Sequence, residues 1–178
     1  MTLTLIREQI DTPVGAMTLI TDEEGTVRML EFTEKRNREE SHLIRHFKNA
    51  DIRDGRTPSP ARDALKAYFN GDITAIDGLP VAAEDTPFRE KVWAALRTIP
   101  PGETWTYGDL AKAVDSPKGF RAVGSANGAN PIAIIVPCHR VIASGGKLGG
   151  YGGGLERKTW LLQHEAENCG KQLALRAG

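Results

Sequence analysis

This chain of 178 residues is short of cysteine, of net charge and of long apolar runs. Each shortage excludes something. Two cysteines, Cys138 and Cys169, do not make the disulfide framework of a small secreted domain. No apolar run approaches the length of a membrane span. The first residues alternate Thr and Leu and meet Arg7-Glu8 at once, which is not the core of a signal peptide. The expectation is a cytoplasmic protein in a reducing compartment, with no membrane association. Basic and acidic residues balance at 23 each, so the charge of the whole chain points to no partner. There is no internal repeat, and no low-complexity tract beyond one glycine-dense loop.

The two halves differ where the whole is neutral. Residues 1–84 hold 11 basic and 15 acidic side chains, whereas residues 85–178 hold 12 and 8. The carboxyl-terminal half is the cationic one, which suits a polyanion. The element pattern also changes near residue 85, so two small domains are expected, 1–85 and 86–178. Residues 3–10, 14–21 and 26–33 are rich in Thr, Ile, Leu and Val and are separated by turn signals. They predict an antiparallel meander. A helix is expected over 38–48, capped by Asn37 with Glu40 three residues on, and with Leu43, Ile44 and Phe47 on one face. A second is expected from Ser59-Pro60 to Gly71, and residues 78–85 read as a linker.

Helices dominate the second half. Thr86 with Pro87 opens one whose apolar face is Phe88, Val92, Ala95 and Ile99, and Pro100-Pro101-Gly102 stops it. Thr106 and Asp109 make an approximate capping box for another, with Leu110, Ala113 and Val114 inward. Ser116-Pro117 turns the chain into a helix over about 117–127. The two short helices form a helix-turn-helix candidate. A last helix is expected from about Leu155 to Asn168. The second short helix carries Ala122, Gly124, Ser125, Ala126 and Gly128, and only Arg121 and Asn127 reach far. Major-groove readout needs several long polar side chains. A helix of small residues suits a minor groove with one inserted arginine, or simply close helix packing.

The segment Pro137-Cys138-His139-Arg140-Val141 follows an apolar stretch and precedes the glycine loop. A thiol beside two basic side chains reads as a nucleophile, because nearby positive charge stabilises the thiolate. In an extended backbone His139 would point away from Cys138, so the pair communicates through a bend or a bridging water. The loop holds seven glycines between Gly145 and Gly154, yet Gly146-Lys147 is followed by Leu148, so it is not a phosphate loop. Glycines there let backbone approach a flat ligand, with Tyr151 supplying a ring and a hydroxyl, or form a surface loop.

Together, Pro137-Cys138-His139-Arg140-Val141, Asn130-Pro131, Arg121-Ala122-Val123-Gly124, Tyr151-Gly152-Gly153-Gly154 and Trp160 to Glu165 resemble the O6-alkylguanine-DNA alkyltransferases of the stand-alone bacterial type. The likeness covers residues 86–178 at motif level and 1–85 in length and element order. It implies an α+β protein: a small amino-terminal antiparallel sheet with helices, a ribonuclease H-like roll, then a mostly helical domain. It implies double-stranded DNA carrying alkylated bases as partner, with little sequence preference, and a monomer. Cys138 matches the alkyl acceptor, His139 the base acting through a water, and Glu165 the carboxylate orienting it. Tyr107 matches the donor to the departing base, and Asn130 the brace of the cysteine loop. Tyr151, Gly152, Val136, Val141 and the Cys138 carbonyl match the base pocket. Arg121 matches the finger that replaces an extruded nucleotide, flanked by Ala122, Gly124, Ser125, Ala126 and Asn127.

No cofactor is implied. Some relatives hold zinc in the amino-terminal domain, but that region here has no cysteine and only His42 and His46, so no metal is expected. Gly152 stands where relatives often carry a small hydroxyl residue, and Ala133 where some have proline. A non-catalytic binder of alkylated bases and a cysteine hydrolase are the competing functions.

Overall fold

The computed structural model describes residues 1–58, 60–173 and 175. The chain divides into two compact units, Met1–Asp85 with Pro131–Ile135, and Thr86–Asn130 with Val136 onward. The short segment Pro131–Ile135, placed in the second domain by sequence, belongs to the first unit.

The first unit is built on strands β1 (Thr4–Ile10), β2 (Met17–Asp22) and β3 (Val27–Phe32), paired antiparallel in sequence order. Asp22 shapes the second hairpin turn: its Oδ1 accepts the amides of Glu24 at 3.1 Å and Thr26 at 2.9 Å, and Gly25 takes φ +90°. Helix α1 (Arg36–His46) follows, then a fourth strand, β4 (Asp51–Asp54), parallel to β1. The sheet is therefore mixed, in the order β3-β2-β1-β4, and not purely antiparallel. Sequence reading missed β4 because Asp51-Ile52-Arg53-Asp54 carries three charges. That is how an edge strand is protected, and it erases the alternating signal. The opposite edge is covered. Val27 exchanges hydrogen bonds with Pro80 and Ala82, and Leu30 with Pro131 and Ala133.

Helix α1 starts at Arg36, without a side-chain cap, because a single 3₁₀ turn over Thr33–Lys35 feeds straight into it. Asn37 therefore lies inside the first turn. Leu43 packs against Leu5, Ile20 and Met29, with Phe47 and Ile52 at the margin. Ile44, one position round the helix, is 70% exposed and leaves the expected apolar face. Helix α2 (Ala61–Phe69) buries Leu65 and Tyr68; the expected start at Ser59 lies outside the described residues. Ile134 takes φ +71°, a strained value for a β-branched residue, in a tight turn closed by Ile135 N–H on Ala133 at 2.8 Å.

The second unit opens with α3 (Pro87–Leu96). Thr86 Oγ1 accepts the Arg89 amide at 3.3 Å, with Pro87 at the first helical position. Val92, Trp93 and Leu96 are its buried side chains. A two-residue strand β5 (Trp105–Thr106) leads into α4 (Tyr107–Ala113). Thr106 and Asp109 form a full capping box, with amide-to-side-chain distances of 3.1 and 2.9 Å. Leu110, Ala111 and Val114 are buried, whereas Ala113, expected inward, is exposed. Helix α5 (Phe120–Gly128) begins three residues later than expected. Pro117 lies in the turn, and Gly119 sits so close to Ser116 that a Cβ would collide with its hydroxyl. After a 3₁₀ turn at Cys138–Arg140, β6 (Val141–Ile142) pairs parallel with β5. Helix α6 (Leu155–Asn168) closes the unit. Among the described residues no helix is long and apolar enough to cross a membrane.

The capping box gives a direct check. Thr106→Ala removes one of its two bonds and should lower stability by about 1 kcal/mol, read by urea unfolding of the whole chain.

Candidate active site

Pro137 ends the apolar stretch, and the chain then turns once. The Cys138 amide donates to Val136 O at 2.9 Å and the Arg140 amide to Pro137 O at 3.0 Å. This turn is the local bend that an extended reading lacked. Asn130 Nδ2 donates to Val136 O at 2.8 Å and braces the approach. With two donors on its carbonyl and a buried side chain, Val136 shapes the loop. The parallel pairing Trp105↔Val141 and Thr106↔Ile142 then places Tyr107 beside the turn.

The turn is buried. Cys138 is 8% exposed, Arg140 3%, and His139 and Glu165 are fully enclosed. Glu165 on α6 accepts from His139 Nε2 at 3.0 Å, Arg140 Nε at 2.8 Å and Arg140 Nη2 at 2.9 Å. The remaining Arg140 branch donates to Ile99 O at 2.7 Å. Burial by itself would push the Glu165 carboxyl up. The charge of its basic neighbours and these hydrogen bonds win, and hold it well below the usual carboxylate range. Burial also lowers the His139 pKa, against the pull of Glu165. This direction favours the neutral imidazole. An ionised carboxylate only accepts, so the ring proton is on Nε2 and the lone pair is on Nδ1. Nδ1 is buried and has no hydrogen-bond partner among the described residues. It is the atom able to take a proton.

Sequence reading missed Lys158. This lysine is fully buried, and its ammonium donates to Val141 O at 2.7 Å, Leu148 O at 2.5 Å and Gly150 O at 3.0 Å. Burial brings its pKa down to about 8, against an upward pull from negative charge at Cys138. Arg140, expected to lend its field to the thiol, has its guanidinium committed to Glu165 and Ile99; Lys158 is a cation whose field acts on the sulfur. The signal was present. Lys158, Leu161, Leu162 and Glu165 share one stripe of α6, and a lysine among inward leucines asks for buried partners.

Burial raises the Tyr107 hydroxyl pKa, and charge at Cys138 adds to it, so the phenol stays a donor. The glycine loop closes against this ring. At Gly149 a Cβ would stand 3.3 Å from Tyr107 Cε2, and φ is +71°. The left-handed backbone favours glycine here, and the space beside the ring is tight. Tyr151 is half-buried in the same loop, and Gly152 is exposed. Val141 is buried, with its carbonyl on Lys158.

On α5, Arg121, Ala122 and Ser125 are exposed and Gly124 is half-buried. Ala126 and Asn127, expected on the same surface, are turned inward at 1% and 6% exposure. The helical repeat puts them with Val123 on the packed face. Ala126 O accepts Trp93 Nε1 at 2.8 Å, and Asn127 Nδ2 reaches Cys138 O at 3.5 Å. Asn127 is thus a tie between α5 and the cysteine turn. Among the described residues no group of three His, Cys, Asp or Glu is placed to hold a metal ion.

Removing Glu165 would leave Arg140 buried and uncompensated. Glu165→Ala should therefore cost about 3–5 kcal/mol of stability, as for other broken buried ion pairs. Calorimetric unfolding of this variant beside the wild type measures it.

Residues 5–83 match the ribonuclease-like domain of 6-O-methylguanine DNA methyltransferase, and residues 87–167 match its DNA-binding domain. A methylated-DNA–protein-cysteine methyltransferase of Salmonella typhimurium is 45% identical over 165 residues, covering 92% of this chain and 96% of the relative. One of Mycobacterium bovis is 45% identical over 175 residues, covering 93% and 95%. The crystal structure of Mycobacterium tuberculosis OGT in complex with DNA is 42% identical, with a TM-score of 0.78 over 92% of this chain and 94% of that one. With both domains matched and identity of this order along most of its length, the chain belongs to the 6-O-methylguanine DNA methyltransferase family.

Proposed function

We propose that this protein repairs alkylated DNA by moving the alkyl group from O6 of guanine, and from O4 of thymine, onto its own Cys138. The observation that carries the reading is the enclosed His139–Glu165 pair, its Nδ1 without a hydrogen-bond partner among the described residues, beside Cys138 in the chain and within a helix-turn-helix unit. The lesion lies inside a stacked duplex, so the nucleotide must rotate out to reach a buried sulfur. Arg121, exposed on α5, fills the gap it leaves, and the small neighbours Ala122 and Ser125 let the helix press into the minor groove.

The steps balance. The Cys138 proton passes through a water to His139 Nδ1, and Glu165 steadies the imidazolium that forms. The sulfur attacks the alkyl carbon; the S–C bond forms as the C–O bond breaks. The electron pair leaves on the purine, where the Tyr107 hydroxyl donates to a ring nitrogen. Lys158 stabilises the thiolate beforehand and, through Leu148 and Gly150, holds the loop that carries Tyr151 and Gly152 against the base. The product is a thioether, which offers water no carbonyl to attack, so one turnover consumes the protein. The reading extends to a cytoplasmic monomer acting on double-stranded DNA with little sequence preference.

Intact-mass measurement after incubation with a duplex bearing O6-methylguanine should show a single methyl increment, absent from Cys138→Ala, with transfer stopping at one equivalent. Tight binding without a mass change would favour a non-catalytic sensor, and turnover of an ester or amide a hydrolase. Lys158→Met should slow alkylation by free O6-benzylguanine about tenfold or more at neutral pH, since a nearby cation shifts a titrating group by one to three units. The deficit should shrink above pH 8, where the native lysine loses its own proton.

A further inference from the structure

Phe120 is one of a few large apolar side chains left open to solvent, at 54% exposure. It stands at the first position of α5, a helix otherwise faced with small residues, and the exposed Lys118 and Arg121 flank it. Its ring lies over Gly108 of α4, with Cε1 3.5 Å from where a Cβ would be. One turn along α5, Gly124 lies beneath the ring of Tyr107, whose Cε1 is 4.0 Å from the corresponding point. Two aromatic rings therefore occupy successive turns of one edge of α5. Tyr107 is half-buried and senses charge at Cys138; Phe120 is the outer one, beside Arg121.

An exposed aromatic between two cations fits a surface that is both apolar and polyanionic. Unstacked DNA has that character: base faces and sugars within a rail of phosphates. We infer that Phe120 is a DNA-contacting wedge, packing on the base or sugar next to the displaced nucleotide while Arg121 enters the stack. The role is positional, since the ring touches neither Cys138 nor the reacting carbon. Phe120 lowers the cost of extrusion by covering apolar surface that would otherwise meet water. The inference rests on the reading of α5 as the DNA-facing helix.

The experiment compares wild type, Phe120→Ala and Phe120→Trp on two substrates: a duplex bearing O6-methylguanine, and free O6-benzylguanine, which needs no extrusion. Phe120→Ala should bind the duplex roughly tenfold more weakly, the scale of losing one stacked aromatic, and lose a similar factor in transfer rate. A fluorescent 2-aminopurine beside the lesion should brighten less. Reaction with the free base should be unchanged, and Phe120→Trp should restore duplex binding. Equal duplex binding and rate for Phe120→Ala would overturn the inference while leaving the transferase reading intact. An equal loss on both substrates would assign the ring to packing over Gly108, and would overturn it too. A wild type inert towards the alkylated duplex would remove both readings together.

Discussion

A carboxylate with no exposed surface stays ionised only if partners replace the water it has lost. Glu165 meets that demand with Nε and Nη2 of one arginine and with one imidazole. Through Arg140 and Ile99 the same group ties α6 to the segment after α3 and to the turn after Cys138. The cluster therefore sets geometry and protonation at once. An ionised Glu165 admits only a donor from His139, so the tautomer follows, and the lone pair is left on the nitrogen that faces away from it. A buried triad of this kind is weak as a source of net stability, because desolvation offsets much of the attraction. Its consequence is specificity: one arrangement of the turn brings all three side chains together.

Lys158 repeats this logic with the opposite sign. Three carbonyls replace its hydration, and two of them belong to the glycine loop. A segment whose composition reads as floppy is pinned at Leu148 and Gly150 and pressed at Gly149 against Tyr107. Its glycines serve close approach and a left-handed backbone. The depressed lysine pKa records the remaining cost of burial, and the charge at Cys138 offsets part of it.

Helix α5 divides its two faces between different tasks. Val123, Ala126 and Asn127 face the protein, where a carbonyl holds the Trp93 indole and an amide touches the cysteine turn. Arg121, Ala122 and Ser125 face outward. The side of the helix that meets solvent is thus connected, through one residue's width of packing, to the backbone of Cys138.

Local signals were legible because they act over a few residues. The Thr106–Asp109 capping box, the Thr86-Pro87 helix start and three apolar strands set apart by turn signals could be read directly, as could a thiol set against histidine and arginine. His139 and Glu165 were paired by resemblance, and their 26-residue separation in the chain made that the only route. What required the tertiary structure depends on distant partners. Strand β4 exists because β1 offers it an edge, although its own four residues look like a charged loop. Residues 131–135 join the first unit because the Leu30 amide and carbonyl pair with Pro131 and Ala133. Asn127 turns inward and Lys158 is buried because the groups that satisfy them lie 11 and 8 to 17 residues away. Sequence by itself determined which chemistry was present; the long-range contacts decided which of those groups face one another, since a polar atom's cost of burial is settled only by the partner it meets in the folded chain.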